Sequence, residues 1–458
     1  MAPARAAAPG HRGLAADRQI RRAAGAMTGP AAPMPSAPLP TVPAATEVRH
    51  ASRPRILFLH LTGQGQFQFL GKWLAEQGWD VTFAHGGVDS IEDADGCRIR
   101  RFRLRDTAIP RGDYRHILDH AAQNCRGATE LMSRMRHAEG YVPDIVMAHV
   151  GWGVGLGVKL VWPDCRYIAY HEWYYTDRNW DKGRAERPVE VMDQVADRMR
   201  NLPIAAEFDL ADAHWCPTRF QASRFPPALR DRMTVLADGV DCALHRPDPD
   251  ARIDFDWVGI PRGQPILTYA TRGMEPLRGF PQFLRAIERL QRERQDFHTV
   301  ILANDAVSYG SRLPAGDSWW LRMMDQLDLD HRRLHVNAMR PRAEYATVLQ
   351  ASTAHVYFTE PFVTSWSLSE ALAMGCLVVG SNTAPVHEMI ADMENGLIVD
   401  MDDADEVAET LAWAIDTPDQ AQALRRAARD RILAEQDARH VFPAKEALLR
   451  SMLAVPPH

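Results

Sequence analysis

Two arginines, Arg272 and Arg278, stand six residues apart in the segment TRGMEPLRGF, directly after an apolar run typical of a buried strand. Glycines and a proline surround them, which is typical of a turn at a strand end. Guanidinium groups are always charged and form paired hydrogen bonds with phosphate oxygens. We therefore expect both side chains to stabilise negative charge on a phosphate-bearing group without a metal ion. The alternative is that they are surface arginines beside a loop.

A second stretch, Thr359–Ser381, combines hydroxyl side chains with a strand–turn–helix–strand pattern. The apolar run 354–358 predicts a strand, and SLSEALAM predicts a helix stopped by Gly375 before another strand at 376–380. Backbone N–H groups and hydroxyls at a helix N-terminus attract phosphate. The hydroxyl residues of this turn are Thr364, Ser365 and Ser367.

Polar residues also follow apolar runs in the first half of the chain. His149 ends the run 143–149 and precedes a Gly-Trp-Gly turn, where a histidine is either structural or functional. Glu172 and Tyr174 lie in an aromatic segment after the next run. Gly63 belongs to the turn LTGQGQF, which lacks the third glycine of a dinucleotide-binding fingerprint. A tight strand-to-helix turn is the alternative for Gly63.

The segment 98–105 contains five arginines in eight residues, interleaved with apolar side chains. Strand alternation would place apolar residues on one face and positive charge on the other. Such a surface would attract an anionic membrane. A charged edge strand, or arginines paired with nearby acids, is the alternative.

Composition limits the class of protein. At 458 residues the chain is long enough for two domains, and 46% hydrophobic with 24% charged residues is typical of globular proteins. The net charge of −6 and the pI near 6.3 argue against nucleic acid as a partner. Six scattered cysteines favour a reducing cytoplasm. Asp-x-Asp recurs too often to mark a metal site, so no metal requirement is predicted.

The order of elements predicts two successive α/β domains. We expect a disordered Ala/Pro-rich leader, two Rossmann-like doubly wound domains joined by a Pro/Asp-rich linker, and C-terminal helices. The predicted segments are 1–53 (leader), 54–245 (N-terminal domain), 246–264 (linker), 265–420 (C-terminal domain) and 421–458 (C-terminal helices).

Over roughly 54–440 the chain resembles the family 4 glycosyltransferases. It is most similar to a bacterial subgroup with the motifs PFV-x-SWSL-x-EA and GS-x-TAPV-x-E, read here from Pro361 and Gly380. The first domain carries the subgroup's AH-x-GWG and E-[FW]-YY segments and a DGVD close to its NGVD ending. The resemblance implies the GT-B fold, with two doubly wound domains facing a cleft and a C-terminal helix crossing back.

The resemblance also implies roles for individual residues. Arg272 and Arg278 would contact the diphosphate of a nucleotide sugar, and Glu370 would hold its ribose. Locally, SLSE also fits a helix capping box with Glu370 as the third helical residue. The family pairs two glutamates eight residues apart, whereas Glu360 stands ten before Glu370, so its role stays open.

The remaining candidate residues divide between donor and acceptor. The resemblance places His149 near the anomeric carbon. The candidates for contacting phosphate or donor sugar are Thr364, Ser365 and Ser367. The candidates for the acceptor side are Gly63, Glu172 and Tyr174.

The predicted function is a retaining transfer of a sugar from a nucleoside-diphosphate sugar to an acceptor hydroxyl, in polysaccharide or glycoconjugate synthesis. The resemblance implies a front-face mechanism and no cofactor besides the donor substrate. The expected acceptor is a saccharide or a lipid-linked molecule, with a cytoplasmic location and peripheral contact at the inner membrane face. A sugar-nucleotide epimerase and a non-catalytic nucleotide-sugar-binding protein are the alternatives.

Overall fold

A computed structural model describes residues 53–88, 90–110, 113–176 and 190–454. The predicted leader, except Arg53, lies outside these residues, as does the start of the helix expected at 186–210. The described chain divides into two compact units. The N-terminal unit comprises residues up to Arg246, Glu360–Ala373 and the chain from Asp430 onward; the C-terminal unit comprises Pro247–Thr359 and Met374–Arg429.

The N-terminal unit is built on an eight-stranded sheet of order β3-β4-β2-β1-β5-β6-β7-β8. Its strands are β1 Arg55–Thr62, β2 Asp80–Gly87, β3 Ile91–Ala94, β4 Cys97–Arg103, β5 Ile145–His149, β6 Arg166–Tyr170, β7 Ala213–Cys216 and β8 Met233–Val235. All neighbours are parallel except β3, which runs antiparallel to β4. The order reverses between β1 and β5, so these adjacent strands form a topological switch point.

The C-terminal unit contains a six-stranded parallel sheet of order β13-β12-β11-β14-β15-β16 and a short antiparallel ribbon, β9–β10. Its strands are β9 Asp254–Phe255, β10 Val258–Gly259, β11 Ile266–Gly273, β12 His298–Asn304, β13 Leu334–Asn337, β14 Ala354–Tyr357, β15 Val378–Ser381 and β16 Leu397–Val399. The switch point lies between β11 and β14. The ribbon lies inside the segment predicted as a linker.

Fourteen α-helices lie within the described residues, with three short 3-10 helices at Gly65–Phe67, Pro276–Arg278 and His331–Arg333. The α-helices are α1 Gln68–Glu76, α2 Arg115–His137, α3 Val158–Val161, α4 Val191–Leu210, α5 Arg219–Ser223, α6 Pro227–Arg230, α7 Phe280–Glu293, α8 Trp319–Gln326, α9 Arg342–Gln350, α10 Trp366–Ala373, α11 Ala384–His387, α12 Ala404–Asp416, α13 Pro418–Glu435 and α14 Ala438–Ala454. No helix among the described residues has the length and apolar character to cross a membrane.

Each face of the N-terminal sheet has its own core. On β1, Leu57 and Leu59 face a cluster completed by α2, whereas Ile56 and Phe58 face a cluster completed by α1 and α14. This division follows from the alternation of side chains along a strand, and explains why Ile56–Leu59 is an unbroken apolar run. The helix α14 therefore packs on the N-terminal unit, as the predicted crossing back requires.

The expected division of the arginine-rich strand into an apolar and a charged face is wrong. Ile99 and Phe102, three residues apart on β4 and so on opposite faces, are both buried. Arg100 is also buried. Its guanidinium group forms two hydrogen bonds with the Glu139 carboxylate, at 2.6 and 2.7 Å, which offset the cost of burying its charge. Helices cover both faces of an internal strand, which leaves no free face for a row of charge.

Candidate functional site

The C-terminal switch point brings the predicted arginines to the carboxyl ends of β11 and β14. Arg272 is the next-to-last residue of β11, and Arg278 follows in the 3-10 helix Pro276–Arg278. The buried Arg278 donates from Nη1 to the Thr359 hydroxyl, two residues beyond β14, at 2.8 Å. Ligands of doubly wound sheets bind at such crevices. The structure therefore places both guanidinium groups where a ligand of this unit is expected.

A tyrosine ring supports both arginines. The guanidinium carbons of Arg272 and Arg278 lie 5.7 and 5.2 Å from the centroid of the Tyr309 ring. A cation over an aromatic face is attracted by the ring's quadrupole. Tyr309 thus restrains two like charges at a shared site. It lies in the loop after β12, and sequence reasoning did not single it out.

Glu275 holds this tyrosine loop in place. It is fully buried between the two arginines in sequence, and its Oε2 accepts hydrogen bonds from the backbone N–H groups of Tyr309, at 3.0 Å, and Gly310, at 2.8 Å. These two backbone donors offset part of the free energy that burial of the Glu275 carboxyl group costs. Sequence reasoning missed Glu275, because its partners are over 30 residues away.

Gly279 explains how Arg278 approaches β14. It adopts a left-handed conformation with φ of 70° between the 3-10 helix and α7. A Cβ atom at this position would overlap the Phe358 side chain. Both the backbone angle and the close contact therefore favour glycine. A glycine after the second arginine is the sequence signal of this packing.

The N-terminal switch point carries a different set of side chains. His60 lies in β1 and His149 ends the adjacent β5, so their rings approach to 5.1 Å between centroids. Trp152, from the Gly-Trp-Gly turn, stacks on the His149 ring at 4.4 Å. Sequence reasoning identified His149 but missed His60, although both are polar residues near the end of a buried strand.

Glu172 and Gln66 join the two histidines in one hydrogen-bond network. The Gln66 amide donates to Glu172 Oε1 at 2.7 Å, and Glu172 Oε2 lies 3.2 Å from His149 Nε2. The Gln66 Oε1 lies 3.1 Å from His60 Nε2. The structure therefore unites the predicted His149 and Glu172, and adds His60 and Gln66 to them.

Two of these groups have perturbed titration. Burial, reinforced by the charge of His149, lowers the pKa of His60 to about 3, so this imidazole is neutral near pH 7. Burial acts to raise the pKa of Glu172, but the hydrogen bonds and charge of His149 and the Gln66 amide outweigh it, and the pKa lies below its usual value. Glu172 is therefore a carboxylate at neutral pH.

The turn that carries Trp152 is hydrogen-bonded to Glu207 through its backbone N–H groups. This fully buried side chain, on α4, accepts a hydrogen bond from the Tyr167 hydroxyl at 2.9 Å. Burial raises the pKa of Glu207 to about 8, against the lowering effect of the Tyr167 hydroxyl and the backbone N–H groups of the glycine turn 151–155. Glu207 was also missed, because its partner lies on another element.

The two other predicted acceptor-side residues lie beside this network in the fold. Gly63 follows the paired part of β1 and has a φ of 63°. The Tyr174 ring, two residues after Glu172, packs 5.2 Å from Phe225 at the edge of the core. Their contact with an acceptor stays a prediction.

The predicted donor-binding residues of the signature segment lie in the N-terminal unit. Glu360 and Glu370 are buried, and Thr364, Ser365 and Ser367 are half-buried. The predicted capping box is wrong, because α10 begins at Trp366. The hydroxyl of Ser365, the residue before the helix, accepts a hydrogen bond from the Ser367 N–H at 3.3 Å. Ser367 is therefore inside the helix, and Glu370 is not its third residue.

Contacts within the N-terminal unit orient α10. The Glu370 Oε1 lies 3.5 Å from His245 Nε2. The Trp366 indole donates to Asp238 Oδ2 at 2.8 Å, while Asp238 Oδ1 accepts from the Tyr170 hydroxyl at 2.8 Å. Asp238 belongs to the DGVD segment. The signature helix α10 is thus held by a hydrogen bond to Asp238 of the DGVD segment and by the contact between Glu370 and His245.

The two switch points are suited to different chemistry. The arginines provide fixed positive charge for an anionic ligand, whereas the histidine–glutamate network provides both donors and acceptors, as hydroxyl groups require. Among the described residues, no three His, Cys, Asp or Glu side chains are grouped to hold a metal ion.

Family models match most of the chain. The model described as "Glycosyl transferase family 4 group" matches residues 77–244, and that described as "Glycosyl transferases group 1" matches residues 251–431. A curated relative, D-inositol 3-phosphate glycosyltransferase from Corynebacterium efficiens, is 26% identical over 254 residues, which is 53% of this chain and 54% of the relative. The match thus spans about half the length of that protein.

Solved structures show the same fold. Sucrose-phosphate synthase from Thermosynechococcus elongatus has a TM-score of 0.67 at 17% identity, covering 88% of this chain and 100% of its own. The Anabaena protein HepE, solved in complex with UDP-glucose, has a TM-score of 0.60 at 13% identity, with 88% and 100% covered. Together with the family matches, this likeness confirms the predicted fold class and family: the chain belongs to the family 4 glycosyltransferases of GT-B fold.

Proposed function

We propose that this glycosyltransferase moves a sugar from a nucleoside-diphosphate sugar to a hydroxyl group of a saccharide or lipid-linked acceptor, with retention of the anomeric configuration. The observation that carries the proposal is the pair Arg272 and Arg278 at the C-terminal switch point, both placed over the Tyr309 ring. Two fixed cations are suited to a diphosphate, which gains charge when the glycosidic bond breaks.

The donor's remaining groups are assigned to the signature segment. Glu370 would bind the ribose hydroxyls, because a carboxylate accepts from both at once. The turn hydroxyls of Thr364, Ser365 and Ser367 would contact phosphate or sugar. The Anabaena protein of the same fold was solved with UDP-glucose. That complex supports a nucleotide-sugar donor for this chain and leaves its base and sugar to be measured.

The proposed reaction proceeds on one face of the sugar. The bond from the anomeric carbon to the phosphate oxygen breaks while the acceptor oxygen bonds to the same carbon from the same side. The acceptor's proton passes to the departing phosphate oxygen, so the products are the glycoside and the nucleoside diphosphate. The protein contributes position and charge stabilisation, with His149 near the anomeric carbon.

The acceptor would bind at the N-terminal switch point. Its network has donors and acceptors to match a hydroxyl; Gly63 follows β1, and Glu172 and Tyr174 follow β6, whose neighbour β5 pairs with β1. The curated relative is named for transfer to D-inositol 3-phosphate. Its name supports a polyol or saccharide acceptor, and a role in polysaccharide or glycoconjugate synthesis remains part of the proposal.

No cofactor is proposed, because the arginine pair supplies the positive charge that a divalent cation would provide elsewhere. Activity should therefore be the same with excess Mg²⁺ and with excess chelator. A strong dependence on a divalent cation would contradict this part of the proposal.

The test begins with ligand-induced stabilisation. A nucleotide present at about 100 times its dissociation constant adds about 2.7 kcal/mol to the unfolding free energy, so a panel of nucleotides and nucleotide sugars should identify the base and sugar. The identified donor is then incubated with saccharide, polyol and lipid-linked acceptors, and the product's anomeric configuration is read by NMR. Donor consumption without any acceptor product would indicate an epimerase, and binding without turnover would indicate a non-catalytic protein.

Peripheral contact with an anionic membrane at the cytoplasmic face stays a prediction. Three arginines of 98–105 are paired: Arg100 with Glu139, Arg101 with Glu92 and Arg105 with Glu130. Arg98 and Arg103 are exposed, and would contribute about 1 kcal/mol each at an anionic surface. We expect salt-sensitive pelleting with anionic vesicles only. Reversal of both to Glu should abolish it if this strand is the attachment site.

A further inference from the structure

The orientation of the Gln66 amide is determined by its carboxylate partner. The atom 2.7 Å from Glu172 Oε1 must be the amide nitrogen, because an ionised carboxylate accepts hydrogen bonds and cannot donate them. The carbonyl oxygen of the same amide then faces His60 Nε2, at 3.1 Å. The identity of the two amide ends therefore follows from chemistry.

This orientation selects one tautomer of His60. If Nε2 carries the hydrogen, it donates to Gln66 Oε1, and Nδ1 accepts from the Thr62 backbone N–H at 3.0 Å. If Nδ1 carries it, only the Thr62 carbonyl, at 2.7 Å, is satisfied. In that form Nε2 and Gln66 Oε1, both acceptors, would face each other, and the Nδ1–H would face the Thr62 N–H, a second donor. The Nε2–H form satisfies two partners and leaves Nδ1 beside the Thr62 carbonyl at 2.7 Å, whereas the Nδ1–H form satisfies one partner and opposes two; a pKa of about 3 keeps the ring neutral.

The backbone places Gln66 for this contact. The 3-10 helix Gly65–Phe67 begins next to the His60 ring, and Gly65 has a φ of 51°. A Cβ atom on Gly65 would overlap the imidazole. The second glycine of the turn GQGQ, which does not fit a dinucleotide fingerprint, thus has a separate structural explanation.

We infer that Gln66 is a positioning residue, which fixes His60 as the neutral Nε2–H tautomer and holds Glu172 against His149. The network then sets the acceptor-side imidazole and carboxylate before substrate binds. Misplacement of such groups costs up to about a hundredfold in rate. The kinetic consequence rests on the proposed function, whereas the tautomer does not.

The first experiment is spectroscopic and uses the wild-type protein without substrate. Labelling histidine with ¹⁵N and comparing two-bond proton correlations with those of His60→Asn assigns the His60 ring. We expect the Nε2–H tautomer, unchanged from about pH 6 to about pH 8. An Nδ1–H tautomer, or a ring that gains a proton in this range, would overturn the inference.

The second experiment removes the amide. Gln66→Leu is similar in size and has no hydrogen-bonding group, and the exposed Gln77→Leu, at the residue after α1, is the matched control. In Gln66→Leu the His60 ring should become a mixture of tautomers, while Gln77→Leu should give the wild-type spectrum. An unchanged His60 spectrum in folded Gln66→Leu would show that Gln66 does not set the tautomer.

Kinetics separate positioning from general stability. We expect Gln66→Leu to lower kcat/KM for the acceptor by about tenfold or more, with nucleoside-diphosphate affinity unchanged. An equal loss of nucleotide affinity would point to a structural defect and contradict the assignment. If the wild type has no transferase activity, the proposed function fails, and the spectra alone still decide the role of Gln66.

Discussion

At the N-terminal switch point, two imidazoles, an amide and a carboxylate are joined by hydrogen bonds, whereas the C-terminal switch point presents two guanidinium groups over a phenol ring. The same strand topology thus positions unlike chemistry. Parallel sheets provide a location for ligands, and the side chains after the strands decide what binds there. A permanent cation pair selects an anion, and a mixed network selects a neutral polar group.

The support beneath the two sites is more alike than the sites themselves. In each unit a fully buried glutamate hydrogen-bonds backbone N–H groups of the loop that carries an aromatic side chain of the site. Glu207 does this under Trp152, and Glu275 does it under Tyr309. Buried carboxyl groups that accept hydrogen bonds from backbone donors can fix loops that have few apolar contacts of their own.

The largest effect is expected at the arginine pair. Removing a charge-stabilising donor costs roughly 3–4 kcal/mol of barrier, so Arg278→Ala should lower kcat several-hundredfold. Arg272→Ala should act in the same direction. Exposed Arg285→Ala, on α7, is the control and should retain activity. Activity within about threefold of wild type in both site variants would show that the positive charge at the C-terminal switch point does not serve the reaction.

Next in size is a pH effect confined to the N-terminal unit. Because the pKa of Glu207 is about 8, the folded state retains a proton that the unfolded chain releases above about pH 4.5. Unfolding is therefore favoured as pH rises from about 4.5 to about 8. Glu207→Gln, which resembles the protonated acid, should remove this loss, worth about 2 kcal/mol between about pH 6 and about pH 8.

The measurement is chemical denaturation of Glu207→Gln and wild type across that range. Exposed Glu76→Gln serves as the control and should follow the wild type. Parallel pH profiles for wild type and Glu207→Gln would mean that Glu207 titrates equally in both states. The Glu207 side chain behind Trp152 would then be ionised, and not protonated, in the folded protein near neutral pH.

A smaller effect is expected at Glu370. Gln keeps one carbonyl acceptor, and loses the charge and second acceptor that ribose hydroxyls would use, so nucleotide affinity should fall more than tenfold, or about 1.4 kcal/mol. Calorimetric titration with the identified nucleotide measures this, with exposed Glu394→Gln as the control. Unchanged affinity would leave Glu370 as the partner of His245, without a role in the donor site.

The smallest effect is expected at Glu275. In Glu275→Gln the amide oxygen can still accept from the tyrosine loop, but charge assistance is lost, which is worth about 1 kcal/mol. Nucleoside-diphosphate affinity should therefore weaken about fivefold. Exposed Glu409→Gln is the control. A loss of thermal stability with no change in affinity would show that the loop supports the fold and does not position the arginines.

The extent of what sequence could predict follows from where the partners lie. Apolar runs identified the strands, and Arg272, Arg278 and His149 were singled out because doubly wound folds bind ligands at strand ends; their roles stay predictions. Gln66 and Glu207 were missed because their partners, Glu172 and Tyr167, lie 106 and 40 residues away. No local pattern reports such a pair. The capping box failed for a local reason, since the helix begins at Trp366, two residues before the predicted Leu368, and Ser367 therefore lies inside it.

The packing of α14 has a consequence for synthesis of the protein. Phe442 and Leu449 complete the core that includes Phe58 and Phe83 on the first two strands. A ribosome adds about 5–20 residues per second. The sheet face that α14 covers therefore remains uncovered for roughly ten to forty seconds while the C-terminal unit is translated. During this time a nascent chain exposes apolar surface that only its own later residues can cover. A fragment ending near Arg246 should therefore aggregate or bind chaperones, although it contains every strand of its sheet.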